Sequence, residues 1–144
     1  MTTQLDAYLF FDGTCAQAMR FYERVLGGKL DALMTYDQSP EGNQCGDGAG
    51  GERIMHAALK LGDRLLMASD SPPGQPHQPA GGFSLSLFYP TPKEAKRTFE
   101  QLAEGGKVIM PLDKTFWAES FGMCVDRFGT PWMVSGGLKQ AAAA

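Results

Sequence analysis

No stretch of this 144-residue chain approaches the roughly 20 consecutive apolar residues that a membrane-spanning helix needs. No run of lysine or arginine exceeds two residues and the formal net charge is −3, so neither nucleic acid nor an anionic membrane is expected as a partner. The first residues, MTTQLDAYLFF, lack the charged start and long apolar core of a secretory signal. Cysteine is scarce: Cys15, Cys45 and Cys124 form an odd, widely spaced set without a CxxC pair. That argues against a disulfide framework or a zinc knuckle and fits a reducing, cytoplasmic setting. GxGxxG, Walker A, GxSxG and HExxH strings are all missing, so no nucleotide loop, nucleophile elbow or zinc-protease pair is available.

What is present is a repeat. Residues 14–30 read TCAQAMRFYERVLGGKL, and about 77 positions later residues 92–108 read PKEAKRTFEQLAEGGKV. Ala18, Phe21, Tyr22, Val25 and Leu26 occupy one stripe of an amphipathic helix. Ala95, Thr98, Phe99, Leu102 and Ala103 repeat that spacing, and both helices run into Gly-Gly-Lys and an apolar residue. At 43% hydrophobic residues the chain is long enough for one domain with a substantial core.

The surrounding elements follow the repeat. Leu5–Phe11 is a β-forming run that Asp12-Gly13-Thr14 interrupts, and Thr14 is placed to cap the helix after it. Gly27-Gly28 ends that helix, and Leu30–Tyr36 reads as a strand. Residues 37–52 hold five glycines and a proline with almost no apolar residues, a loop that serves either as a lid or as slack. Ile54–Leu61 and Arg64–Ser69 are strands joined at Gly62-Asp63. In the second half, Phe83–Tyr89 is a strand and Pro92 opens the helix. Val108–Leu112 follows, and Phe121–Val125 and Pro131–Ser135 form a hairpin around Asp126–Gly129. The expectation is a single α+β domain over 1–144. One βαβββ module covers 4–70, a proline- and glycine-rich linker 71–82, a second module 83–136 and a fraying tail 137–144.

A duplicated unit with AMRFYERVLGGKL in one half and DRFGTPWMVS closing the other resembles the vicinal oxygen chelate superfamily of glyoxalases, bleomycin-resistance proteins and dihydroxybiphenyl dioxygenases. The strings IMHAALKLGD, GFSLSL, EGGKVIMPLDKTFWAESFGM and DRFGTPW are similar to its PhnB-like branch. The resemblance covers residues 5–135 and implies two βαβββ modules forming a curled mixed sheet around a cavity, in a homodimer. Members of that branch carry the label 3-demethylubiquinone-9 3-methyltransferase-like. Here, however, the glycines cluster between strands, where a doubly wound nucleotide-binding sheet would have them at a strand-to-helix turn.

The resemblance also implies a divalent ion held by His, Gln or Glu side chains from the first and last strands of each half. The matching positions fall at about Ala7, near Ser84 or Leu85, near Leu66 or Met67, and at Met133. Met133 stands at the carboxylate position of the D-x-x-G-x-x-x-E string that begins at Asp126. Methyl, hydroxyl and thioether groups do not suit a hard cation. No metal and no cofactor are therefore expected, with a divalent ion at a displaced site as the alternative.

Several polar and aromatic residues remain as candidates. His56, inside a strand, is either a structural hydrogen-bonding residue or an acid–base group. His77 lies in the linker, and no spacing rule supports a His56–His77 metal pair. Phe116-Trp117-Ala118-Glu119, read as a non-helical break in the strand pattern, either packs with Glu119 in water or lines a pocket for a flat or cationic ligand. Ser84 and Ser86 share one face of a strand, a polar cavity wall or a crowded interface. Met123 and Met133 complete the ligand-lining set. Cys15 falls in a first helical turn, reactive or buried and inert. Asp126 and Arg127 fix the last turn, and Asp70 either caps a turn or points into the cavity.

Two functions fit. One is metal-free binding of a small, partly aromatic molecule in the cavity of a homodimer, with Phe116, Trp117, Ser84, Met123 and Met133 in contact. The alternative is an enzyme, a lyase, isomerase or transferase, using His56 and Glu119 as acid–base groups or a displaced divalent metal.

Overall fold

In a computed structural model describing residues 3–37, 53–72 and 76–139, the repeat becomes two compact units, Met1–Pro79 and Ala80–Ala144. The first holds β1 (Ala7–Phe11), α1 (Cys15–Leu26), β2 (Lys29–Thr35), β3 (Ile54–Leu61) and β4 (Arg64–Asp70). The second holds β5 (Leu85–Tyr89), α2 (Pro92–Ala103), β6 (Lys107–Asp113), β7 (Ala118–Val125) and β8 (Pro131–Leu138). Each unit is a four-stranded mixed sheet with the same order, β1-β4-β3-β2 and β5-β8-β7-β6. In both, the first strand pairs parallel with the last, Ala7 opposite Leu66 and Leu85 opposite Trp132.

One helix covers one face of each sheet. α1 lies on β3 with β2 and β4 beside it, and α2 lies on β7 and β8. Ala18, Met19, Phe21 and Tyr22 of α1 are buried, as are Ala95, Thr98, Phe99 and Leu102 of α2. Val25, Leu26 and Ala103, at the ends of the expected stripes, are only half-buried. The repeated glycine pairs do two separate jobs. Gly27 and Gly105 take the left-handed conformation at φ +79° and +77°, which a side chain would oppose. Gly28 and Gly106 bring the chain against the hairpin strand: a Cβ on Gly28 would lie 2.5 Å from the Lys60 carbonyl oxygen, and one on Gly106 would collide with that of Val125.

The helix starts are held differently. Thr14 occupies the N-cap of α1, but its side chain makes no capping bond. The expectation of a Thr14 cap is corrected by Asp70, the last residue of β4. Its Oδ1 accepts from Gly13 N at 2.7 Å and Cys15 N at 3.0 Å, and its Oδ2 accepts from Ile54 N at 2.9 Å. Asp70 is 1% exposed and thus ties the β1–α1 turn to the start of β3. In the second unit Thr91 caps α2 locally, accepting from Glu94 N at 3.3 Å, with Pro92 behind it. The register places Gly136 where Asp70 stands, and a Cβ there would lie 2.6 Å from the Thr91 carbonyl oxygen and 2.7 Å from Ala95 Cβ.

Element boundaries differ from expectation where packing decides them. β7 begins at Ala118, so Ala118 and Glu119 continue the strand where the sequence suggested a break. β8 runs to Leu138 and takes in the start of the expected tail. Apart from Asp37, the loop 37–52 lies outside the described residues, as does Cys45. Among the described residues, no helix is long and apolar enough to cross a membrane.

Candidate functional site

Strand alternation sorts every side chain onto the helix-covered face or the open one. In β1, Leu9 and Phe11 are buried, whereas Tyr8 is 39% and Phe10 57% exposed. In β8, Trp132 and Val134 are buried, while Met133 is half-buried on the opposite side. The expected ligand positions Ala7, Leu66 and Leu85 therefore fall on the helix side. The open-face positions are their neighbours: Tyr8 opposite Met67, and Ser86 opposite Met133.

Following one lateral row across each sheet shows what these faces offer. In the first unit it reads Ala32, Ala58, Met67, Tyr8 across β2-β3-β4-β1. In the second it reads Met110, Met123, Met133, Ser86 across β6-β7-β8-β5. The Ser86 hydroxyl donates to Met133 Sδ at 3.8 Å. Ser84, half-buried, precedes the strand. A methionine row is apolar, polarizable and adaptable in shape, and thioethers make favourable contacts with aromatic rings.

His56 is not isolated. It stands opposite Met34, and its Nδ1 lies 3.2 Å from the Tyr8 hydroxyl, whose ring reaches across from β1. The two ring centroids are 5.8 Å apart, and that of Phe10 lies 5.2 Å from that of Tyr8. His77 bonds elsewhere: its Nδ1 is 3.2 Å from the Ser71 hydroxyl, so the structure does not pair the two histidines. Glu119 lies in the other unit. Its carboxylate is packed against Gly137, where a Cβ would collide with it. Each of the two expected acid–base groups thus has its own partners within its own unit, Tyr8 for His56 and Gly137 for Glu119.

Taken unit by unit, the open-face pairs do not suit a hard divalent cation: Tyr8 and Met67 offer a phenol and a thioether, Ser86 and Met133 a hydroxyl and a thioether. Among the described residues, no three His, Cys, Asp or Glu side chains converge as a metal site.

Phe116 is 79% exposed and meets Trp117 edge-on at 4.8 Å, and Trp117 in turn meets Phe121 at 5.2 Å. Trp117 is thus anchored while Phe116 reaches outward. Behind this edge, a groove of about 680 Å³ runs between α2 and β6–β7, bordered by Phe99, Val108, Leu112, Lys114 and Glu119. Phe116, Trp117, Ser84, Met123 and Met133 are not among the residues that line it.

The two described thiols are buried. Burial, reinforced by the Asp70 carboxylate, pushes Cys15 up to about 12. Burial with Asp126 beside it pushes Cys124 to about 11. A helix start that lowers a thiol's pKa is overridden here by desolvation. Asp126 closes the last turn: Oδ1 accepts from Phe128 N at 2.8 Å and Thr130 N at 3.1 Å, and Oδ2 from Trp132 Nε1 at 2.8 Å.

Tyr8, Phe10 and Met34 are the functional candidates that the sequence concealed. AYLFF is apolar at nearly every position, so alternation leaves no polar mark on the exposed side. Only the β1–β4 register, with Leu9 and Phe11 under the helix, separates the faces.

Comparison with known proteins agrees with this architecture. Protein YjdN of Escherichia coli strain K12 is 35% identical over 138 residues, spanning 91% of this chain and 93% of that one. The crystal structure of protein PA1353 from Pseudomonas aeruginosa superposes with a TM-score of 0.87 at 45% identity, covering 94% of this chain and 98% of that one. A PhnB protein from Bacillus cereus shares the fold at 24% identity and a TM-score of 0.77, covering 93% of this chain and 99% of that one. The sequence pattern of the glyoxalase/bleomycin resistance protein/dioxygenase superfamily matches residues 4–134, and the chain, with its two βαβββ units, belongs to that superfamily.

Proposed function

We propose that the protein binds a small, partly aromatic molecule through its open sheet faces, as a homodimer and without a resident metal. The observation that carries this reading is the Met110–Met123–Met133 row with Ser86 beside it. Three thioethers at adjacent cross-strand positions make a deformable apolar floor, and one hydroxyl gives it a single polar mark. Tyr8, Phe10, Met34 and Met67 supply a similar apolar surface on the first unit's open face. The donor chemistry of both faces suits rings better than vicinal oxygens on a hard metal. Phe116, exposed beside an anchored Trp117, has the freedom to fold onto a ligand.

The test is equilibrium binding of 1-naphthol followed by fluorescence. Saturable binding is expected, weakened about tenfold or more by Met123→Ala combined with Met133→Ala. Binding that is unchanged in the double variant, or gained only on adding a divalent ion, would overturn the reading. Light scattering should give twice the chain mass.

A further inference from the structure

Beyond a general apolar floor, the first unit carries an arrangement with a chemical preference of its own. Phe10, Tyr8 and His56 form a continuous run of three rings, tilted against each other by 40° and 31°. None is stacked flat on another, and Phe10 and Tyr8 keep 57% and 39% of their surface accessible.

The hydrogen bond within the run sharpens its polarity. In the imidazole tautomer that carries its proton on Nε2, Nδ1 accepts from the Tyr8 hydroxyl at 3.2 Å. A phenol that donates its proton gains electron density in the ring, which deepens the negative potential over the face. One fixed charge, Asp6 just before the start of the strand, acts in the same direction. Asp6, Tyr8, Phe10 and Asp12 alternate onto one side of β1 and its extensions. Among the described residues Asp6 accepts from two neutral donors, Gln4 Nε2 at 2.6 Å and Leu65 N at 3.1 Å, which leave its charge uncompensated. Asp12 is paired with Arg53 at 2.9 Å, which removes that cation from competition. Lys60, on the same side of β3, stands opposite Leu65, four residues beyond His56.

We propose that the Phe10–Tyr8–His56 run is a subsite for an alkylated ammonium group, held over the Tyr8 ring face with Asp6 supplying long-range attraction. Methyl groups on nitrogen spread the positive charge and shed water easily, so such a cation gains from rings what an ordinary ammonium loses in hydration. The second unit does not repeat the device. Its register places Ser86 where Tyr8 stands and Phe121 where His56 stands. The subsite is thus a property of one half, and it adds a charge preference to the apolar binding proposed above.

The probe pair is choline and 3,3-dimethyl-1-butanol, which match in shape and differ in charge. Titration followed by proton NMR should show the choline methyl signal moving upfield, as nuclei above ring faces do, with affinity roughly tenfold above that of the neutral alcohol. Tyr8→Leu should bring the ratio to about one, and Phe10→Leu, at a more exposed position, should lower it in part. Tyr8→Phe should keep most of it, because the ring remains. Equal binding of the two probes, or a preference that survives Tyr8→Leu in folded protein, overturns the subsite. Binding of 1-naphthol in the same samples separates the two ideas. Naphthol bound with no choline preference leaves the apolar floor standing and removes the cation site, whereas choline preference without naphthol binding does the reverse.

Discussion

The two units share strand order, parallel pairing and paired glycines, yet they anchor their helices by opposite means. In the first, a buried carboxylate from the last strand reaches across to three backbone N–H groups. In the second, that residue is Gly136, the helix sits closer to the strand, and Thr91 with Pro92 caps it from next door in sequence. One solution is long-range and electrostatic, the other local and steric. A duplicated fold constrains where a helix must start, but not which atoms satisfy its free donors.

The largest effect should come from breaking the long-range anchor. Asp70→Ala leaves the N–H groups of Gly13, Cys15 and Ile54 without their acceptor, at least two of them buried. A loss of about 3–5 kcal/mol in urea unfolding is expected, with the first unit affected most. Gly136→Ala forces a methyl group against the Thr91 carbonyl and Ala95, and should cost about 1–3 kcal/mol by the same measurement. Thr91→Ala removes a single local cap and should cost only about 1 kcal/mol. If Thr91→Ala proved as damaging as Asp70→Ala, the contrast between the halves would fail.

A further effect is alkaline. Cys15 is raised from its ordinary 9.0 to about 12, so the folded state holds its proton where the unfolded state releases it. The stabilising contribution is complete below pH 9.0 and is lost as pH climbs toward about 12. Thermal unfolding should therefore show a falling Tm over that window, and Cys15→Ala should flatten the slope. Alkylation of Cys15 in native protein at pH 8 should be negligible. Rapid labelling there would show that the Asp70 anchor opens readily.

Much of the scaffold was legible without coordinates. The helical stripe from Ala18 to Leu26, its copy from Ala95 to Ala103, the glycine pairs and the Gly62-Asp63 turn are all local signals, carried by residues three, four or one position apart. The candidate site was legible only in part. Met133 and His56 could be marked by their types, but Tyr8 could not, since its neighbours Leu9, Phe10 and Phe11 are as apolar as it is. Asp70 resisted for a different reason: whether a carboxylate caps a turn or faces a cavity depends on Gly13, Cys15 and Ile54, up to 57 residues away.

The sequence by itself determined the duplication, the helices and the thioether, Met133, at the position where the superfamily resemblance implies a carboxylate. Periodicity and side-chain chemistry are properties of short windows, so they survive without a fold. Only the tertiary structure decided which neighbour faces outward, Ala7 or Tyr8, Leu85 or Ser86. It also decided that His56 meets a phenol from β1, while Glu119 packs against Gly137. Strand register sets those choices, and it is fixed by pairings between segments far apart in the chain, since a shift of one residue exchanges the two faces of a strand.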